Sequence, residues 1–424
     1  NNKSLYAEID SDISAMLSVQ AALRYEDYSD FGTDINWKLA SRLEPIEGLA
    51  LRASASTGFR APSLQQQFYA AQATNNVAGV LLDTVTLPVG NPVAQALGSS
   101  PLDAEQSMSF SGGIVFSRVP RLNVTLDAYQ VDIDDRIVVT ENLGAFGTPE
   151  QQAAVKAILA AAGFPNVSAA RFFINGIDTR TRGLDLVATY RVPIGDIGRL
   201  NLTGGFNLNK TKIRGNAAVP GALATVPDLL LFSRLESLRL TRGQPRNKIN
   251  GSADFDSGWF GATLRATRYG KVLAAGADEF TDVNLRPKTI TDLEMRFKPM
   301  GDRFTLALGG NNIFDVYPTN TPRGRAIDPA TGLERNYSDI NYALPFSNFS
   351  PFGFNGRFLY ARASMNFGAP AAAARYVAPV EAPPLPPPAP PATQTCPDGS
   401  VIMATDYCAA PPPPPPPPPA PERG

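Results

Sequence analysis

Histidine is absent from all 424 residues. That removes Ser-His-Asp and Cys-His catalysis, zinc sites built on imidazole, and haem held by histidine. Cysteine occurs only twice, as Cys396 and Cys408, both close to the C-terminus. The rest of the chain therefore has neither a disulfide framework nor a thiolate nucleophile, a usage compatible with export. No window approaches the roughly 20 apolar residues of a membrane helix, although 43% of residues are hydrophobic. The formal net charge is only -1, so nothing advertises a nucleic-acid partner. No signal-peptide pattern stands at Asn1, so the chain is expected to be either a mature form or one whose beginning lies upstream. The Asp and Glu residues show no paired acid/base constellation. Neither catalytic residues nor metal or cofactor ligands are expected, and an enzyme is the least favoured class.

What is present is alternation. In the stretch Asn355–Phe367, Leu359, Ala361, Ala363, Met365 and Phe367 share one strand face, while Arg362, Ser364 and Asn366 share the other. Phe358 and Tyr360 stand near the start of the polar face. An apolar face ending on an aromatic, backed by a polar face, suits a strand between lipid and a wet lumen. A soluble sandwich strand gives a similar pattern, and this strand alone leaves the two readings even.

The same pattern recurs along the chain. Leu17, Val19, Ala21 and Leu23 alternate with Ser18, Gln20 and Arg24, and Leu122, Val124, Leu126 and Ala128 with Asn123, Thr125 and Asp127. Leu200, Leu202, Phe206 and Leu208 alternate with Asn201, Thr203, Asn207 and Asn209. About thirteen such strands are predicted, each near the roughly 9–11 residues that cross a bilayer at a tilt. Between them the loops segregate by parity. Ser11–Ser14, Glu44–Gly48, Arg118–Arg121, Pro193–Arg199, Asp256–Gly258 and Pro299–Asp302 are short; the intervening set includes 58–105, 141–177, 213–244 and 315–354. Short turns on one rim and long loops on the other describe an outer-membrane barrel, and a sandwich or propeller has no reason to sort its loops this way. The fold class read here is all-β, an antiparallel transmembrane β-barrel.

The polar faces carry Arg24, Lys38, Arg52, Asp127, Asp185, Arg265, Asp292, Glu294 and Arg296. Singly, each is read as wall of a solvated lumen. Substrate binding is expected from lumen wall and long loops together, with no single residue assigned. One loop holds a helix signal: Thr148-Pro-Glu-Gln151 is a capping box with proline at the first helical position, and Gly163 closes the run. Ala153, Val155, Ile158 and Leu159 follow at helical spacing, and packing within the loop is preferred to ligand gating.

Several of these stretches resemble the TonB-dependent outer-membrane receptors. They are Leu51-Arg-Ala-Ser-Ala-Ser-Thr-Gly-Phe-Arg-Ala-Pro-Ser-Leu64, the strand Asn123–Tyr129 running on to Asp135-Arg-Ile137, and Thr181-Arg-Gly-Leu-Asp185. Leu308–Pro318, Ser350–Gly356 and the closing strand to Phe367 are similar to the family's C-terminal region. The resemblance implies a 22-stranded barrel filled by a plug, importing scarce nutrients with energy delivered by TonB. Thirteen strands fall short of that, and no plug or TonB-box segment is recognised. The plug and about nine strands are expected upstream or on a second chain, because an open sheet leaves a lipid-facing edge unpaired. Such a chain has outer-membrane lipid and, through the plug, the TonB complex as partners. Its ligand falls in the siderophore, vitamin or oligosaccharide class.

Residues 1–367 are thus read as barrel and 368–424 as a separate tail. Proline runs at 382–391 and 411–419 favour an extended, disordered polyproline strut. Between them lies a small island, 396–408, whose framing cysteines Cys396 and Cys408 are expected to close a disulfide in an oxidising periplasm. The tail suggests a periplasmic partner or peptidoglycan. That gives the alternative function, an outer-membrane scaffold barrel tethered through its tail.

Overall fold

The structure, a computed structural model, describes residues 1–29, 32–77, 80–145, 147–167, 169–216, 219, 221, 223–224, 226, 229, 231–232, 234–276, 278–322, 325–337, 345–367, 393–395 and 401–403. Among the described residues thirteen long strands run in chain order, each antiparallel to its sequence neighbour. They are β1 (Asn2–Ser14), β2 (Leu17–Tyr28), β3 (Gly32–Ile46), β4 (Leu49–Arg60), β5 (Glu105–Phe116), β6 (Leu122–Val139) and β7 (Ala169–Ile194). The rest are β8 (Gly198–Asn216), β9 (Asn247–Asp256), β10 (Phe260–Tyr269), β11 (Lys288–Phe297), β12 (Phe304–Asn311) and β13 (Phe358–Met365). Among the described residues no helix is long and apolar enough to cross a membrane, which leaves strand crossings untouched.

Register fixes the two faces of the sheet. On β8 the pairings Leu202↔Tyr190, Phe206↔Leu186 and Leu208↔Leu184 put even-numbered residues of β7 and β8 on one face. That face carries exposed Leu5, Ile9, Leu23, Ile35, Leu39, Leu51, Phe110, Ile114, Leu202, Leu208, Ile249, Leu264, Leu308 and Leu359, one or more from most of the thirteen strands. Large apolar groups left in contact with the surroundings along nearly every strand make sense against lipid and little sense against water. At the short-turn rim the same face ends in Phe255, Trp259, Phe260 and Phe297, with neighbouring ring centroids 5.3–6.3 Å apart. Such a cluster belongs at a membrane interface, where aromatic girdles sit.

The buried apolar core lies elsewhere, in the long loops. Val93, Ala94 and Leu97 of the segment around α2 (Pro92–Ala96; a one-turn helix α1, Leu64–Phe68, precedes it) meet Val155 and Leu159 of α3 (Pro149–Ala161). Leu143, Ala170, Phe172, Ile174, Leu223, Val226, Leu229 and Leu231 complete the cluster. Three long loops thus fold onto each other as one lobe. The strand Val80–Leu87 anchors it, pairing Thr84–Leu87 in parallel with Ala169–Phe172 of β7. Residues Val272, Ala274, Val283 and Leu285 form a second, smaller core with Tyr337 and Phe349.

Several boundaries move from their sequence positions. Strand pairing continues through Asp12↔Ser18 and Ser14↔Leu17, so the first turn falls at Ala15–Met16 rather than Ser11–Ser14. The segment 169–177, read as loop, is the start of β7, held in sheet by partners on β6 and on the strand Val80–Leu87. β8 likewise runs to Asn216, into the stretch read as loop from 213. The helix capped by Thr148 is present, with Val155 and Leu159 buried in the lobe. In the separate tail unit, Thr393–Thr395 pairs antiparallel with Val401–Met403. Cys396 and Cys408 lie outside the described residues.

Candidate functional site

The inner face opposes the apolar one and is a wall of ion pairs and amides. Arg24 donates to Glu26 at 2.7 Å. Arg52 grips Asp127 with its fork, at 2.7 and 2.5 Å. Asn207 donates to Asp185 at 2.5 Å. The densest part lies on β9–β13, where Arg296 donates to Asp254 (2.7 Å), Thr263 (2.6 Å) and, at longer range, Glu294 (3.4 Å). Tyr360 donates to the other oxygen of Glu294 at 2.8 Å, and Arg362 approaches it at 3.4 Å. A cavity of about 70 Å³ opens here, lined by Thr263, Arg265, Asp292, Glu294, Arg296 and Tyr360 among others. That is room for about two waters, each occupying about 30 Å³.

Glycine makes the longest of these contacts possible. Gly113 lies on β5 directly between Arg52 and Asp127 in register, and a Cβ there would stand 2.0 Å from the Asp127 carboxylate. Gly261 on β10 plays a similar part, letting Arg296 cross to Asp254 on β9; a Cβ would meet the guanidinium at 2.9 Å. Over Gly113 the intervening strand is pared to backbone, whereas the Arg296–Asp254 pair crosses β10 beside Gly261 with the Thr263 hydroxyl bonded to both partners.

At the long-loop rim a wider cleft of about 520 Å³ opens between the segments 282–288 and 317–322. Arg286 and Lys288 line it beside Asn284, Tyr317 and Asn320, and the Arg286 backbone N–H bonds Thr319 Oγ1 at 2.8 Å. Its size falls in the 300–1,000 Å³ range of small-molecule sites. Asp282 at its edge is held by Arg234 at 2.7 Å, which ties the cleft to helix α4 (Arg234–Arg242). Arg239 of α4 lies over the Phe349 ring at 5.9 Å. The cleft is therefore lined by two loops, and the Arg234–Asp282 pair ties its edge to a third.

All nine polar-face residues expected from the sequence stand on this inner wall. Arg52 with Asp127, and Glu294 with Arg296, are brought together directly; Arg265 and Asp292 face each other across β10 and β11. Lys38 lies opposite Ala22 and Ser56. Sequence reading missed Gly113, Gly261 and the role of Tyr360, because each depends on register with other strands. Among the described residues no three His, Cys, Asp or Glu side chains gather to hold a metal ion.

Comparison with known proteins agrees with this architecture. A mutant of the ferric enterobactin receptor PfeA from Pseudomonas aeruginosa matches with TM-score 0.54 at 18% identity, over 85% of this chain and 44% of that one. The siderophore receptor PirA from Acinetobacter baumannii matches with TM-score 0.52 at 16% identity, over 85% and 45% of the two chains. The FrpB iron transporter from Neisseria meningitidis gives 0.51 at 16% identity, over 85% and 44%. The chain thus spans under half the length of these solved structures. No curated protein matches it. The family model for the TonB dependent receptor-like beta-barrel matches residues 1–313, and the chain belongs to that family of outer-membrane barrels.

Proposed function

We propose that this chain is part of a TonB-dependent receptor that imports a scarce nutrient across the outer membrane. The observation that carries the reading is a polar inner wall leading to a cleft of about 520 Å³ framed by folded long loops. Short turns would face the periplasm and the loop lobe the exterior. Residues 1–367 would be the wall of a larger barrel, its remaining strands and plug coming from upstream sequence or a second chain. TonB would act through that plug. The segment 368–424 would extend into the periplasm towards a partner there, with Cys396 and Cys408 joined. Substrate binding falls to the inner wall and the loops 58–105, 141–177, 213–244 and 315–354.

Among the nutrient classes, a ferric siderophore is favoured over a vitamin or an oligosaccharide. Arg286 and Lys288 line the cleft, and cations suit an anionic chelate. The similar solved structures are receptors for ferric enterobactin and siderophores and an iron transporter. Iron carried this way needs no protein ligands, since the chelator holds it. The test is uptake of radiolabelled ferric siderophores, cobalamin and maltodextrins by cells with and without the complete gene. Uptake of a siderophore that vanishes when TonB is deleted supports the reading. Uptake indifferent to TonB, or none for any of the three classes, overturns it.

A further inference from the structure

The outer face of β6, β7 and β8 changes chemistry at a single level. On β8 the apolar positions end at Leu208, and Lys210, Lys212 and Arg214 follow at exposed outward positions. On β7, Leu184 gives way to Arg182 and then Arg180; on β6, Ala128 gives way to Gln130, Asp132 and Asp134. Register sets Arg182 opposite Lys210 and Arg180 opposite Lys212. Like charges directly opposite on two successive rungs destabilise a bare sheet. Asp132 takes Arg180 at 2.6 Å and lies 3.6 Å from Arg214, which also pairs with Asp134. Arg182 donates to Gln130 at 2.8 Å. Lys210 and Lys212 have no acidic partner among the described residues. Asp178, the next residue of β7 on this face, lies opposite Gly215 beside Arg214. Five cations thus face three carboxylates, an excess of two positive charges.

We propose that this patch binds the phosphate groups of a phosphorylated glycolipid in the outer leaflet of the membrane. Its place selects the partner. The cations stand on the lipid-facing side, one step beyond an apolar run, Leu200–Leu208, that matches the roughly 9–11 residues of a bilayer crossing. That is headgroup depth, on the long-loop side. Neighbouring strands lie about 4.8 Å apart and successive rungs about 6.8 Å apart, so one phosphate reaches cations of both β7 and β8. Arginine supplies a fork of donors and lysine a mobile ammonium, both suited to phosphate. The carboxylates Asp132 and Asp134 hold Arg180 and Arg214 in place, and the anion would relieve the repulsion between the rungs.

This inference rests on the proposed membrane placement, with the long loops outward. The complete protein, isolated from its outer membrane, is reconstituted into phosphatidylcholine nanodiscs containing either diphosphorylated or dephosphorylated lipid A. Retained glycolipid per protein is read by native mass spectrometry. The expected result is selective retention of the diphosphorylated lipid. In Arg182→Gln/Lys210→Gln/Lys212→Gln that retention should fall roughly a hundredfold, at about fivefold per cation. The pair Lys210→Gln/Lys212→Gln, which leaves the Arg182–Gln130 bond intact, should lose roughly 25-fold by the same reckoning. Equal retention of both lipids, or retention unchanged in the variants, overturns the lipid site while membrane incorporation stands. Failure of the wild-type protein to incorporate at all overturns the membrane reading and the site with it.

Discussion

Arg52 and Asp127 sit on strands that do not touch, and their ion pair closes over Gly113 on the strand between them. The barrel wall is held across two strand spacings at this point by one guanidinium. Arg296 and Asp254 make a similar link beside Gly261, with the Thr263 hydroxyl bonded to both. Cross-links of this reach stiffen a sheet that has no apolar core behind it, since its apolar side faces outward.

Filling the gap should break the link. Gly113→Val places carbon where the Asp127 carboxylate now lies, and overpacking of this kind costs about 1–3 kcal/mol. Arg52→Ala, which only removes a half-exposed pair, should cost at most about 1 kcal/mol. The ordering is checked by the temperature at which heat-modifiable electrophoretic mobility is lost. Equal midpoints for the two variants would show that the glycine gap has no steric role.

Arg296 meets three acceptors on two other strands and its own. Lysine keeps the charge and loses the fork. Arg296→Lys is therefore expected to retain part of the stability that Arg296→Leu loses, the latter leaving Asp254 and Glu294 without their cation. The expected loss for leucine is about 2 kcal/mol, below the 3–5 kcal/mol of a fully buried pair because Asp254 is 38% exposed. Denaturant unfolding in detergent micelles reads both values.

The loop lobe should melt apart from the barrel. Leu159 is fully buried among loop side chains, and Leu→Ala in such a site costs about 2–5 kcal/mol. Leu159→Ala should speed proteolysis within 140–168 while leaving heat-modifiable mobility of the barrel unchanged. Coupled loss of both would mean that lobe and wall form one cooperative unit.

Acid should loosen the same lobe from its helix end. The carboxyl of Glu150 is held below the usual glutamate range by its own backbone N–H and then by Thr148. A depressed folded value means that the stabilisation is present above the unfolded value. It is lost as pH falls through the folded one. Amide exchange in the first turn of α3 should therefore accelerate between pH 5 and pH 3, taken as about the carboxylate range. In Glu150→Gln that pH dependence should disappear.

The wall was legible in the sequence because its period is two and each strand keeps one apolar face. Leu200 to Leu208 announce themselves without neighbours. The lobe was harder to read. Phe172 and Ile174 alternate with Arg171 and Phe173, which suggests neither a loop nor a barrel strand, and their burial depends on Leu97, Val155 and Leu223 far along the chain. Thr148 to Gln151 could be placed as a helix start because capping is local. Gly113 carries no local mark at all. Its meaning appears only when β4, β5 and β6 are set in register.

The face assignment itself predicts two positions of one strand with opposite tolerance. Leu264 points outward at the middle of the apolar run on β10, 45% exposed, while Arg265 beside it already carries charge on the inner face opposite Asp292. In lipid, Leu264→Arg should cost about 2–4 kcal/mol, the penalty of arginine at a bilayer midplane. Thr267→Arg, on the inner face of the same strand, should cost well under half as much because water reaches it. Were the sheet a soluble one, an exposed leucine would accept arginine within about 0.5 kcal/mol, and the inner face would be the intolerant one. Unfolding of both variants in phospholipid vesicles therefore separates the two by the sign of a difference. A larger loss at Leu264 keeps lipid outside, and a larger loss at Thr267 turns the barrel inside out.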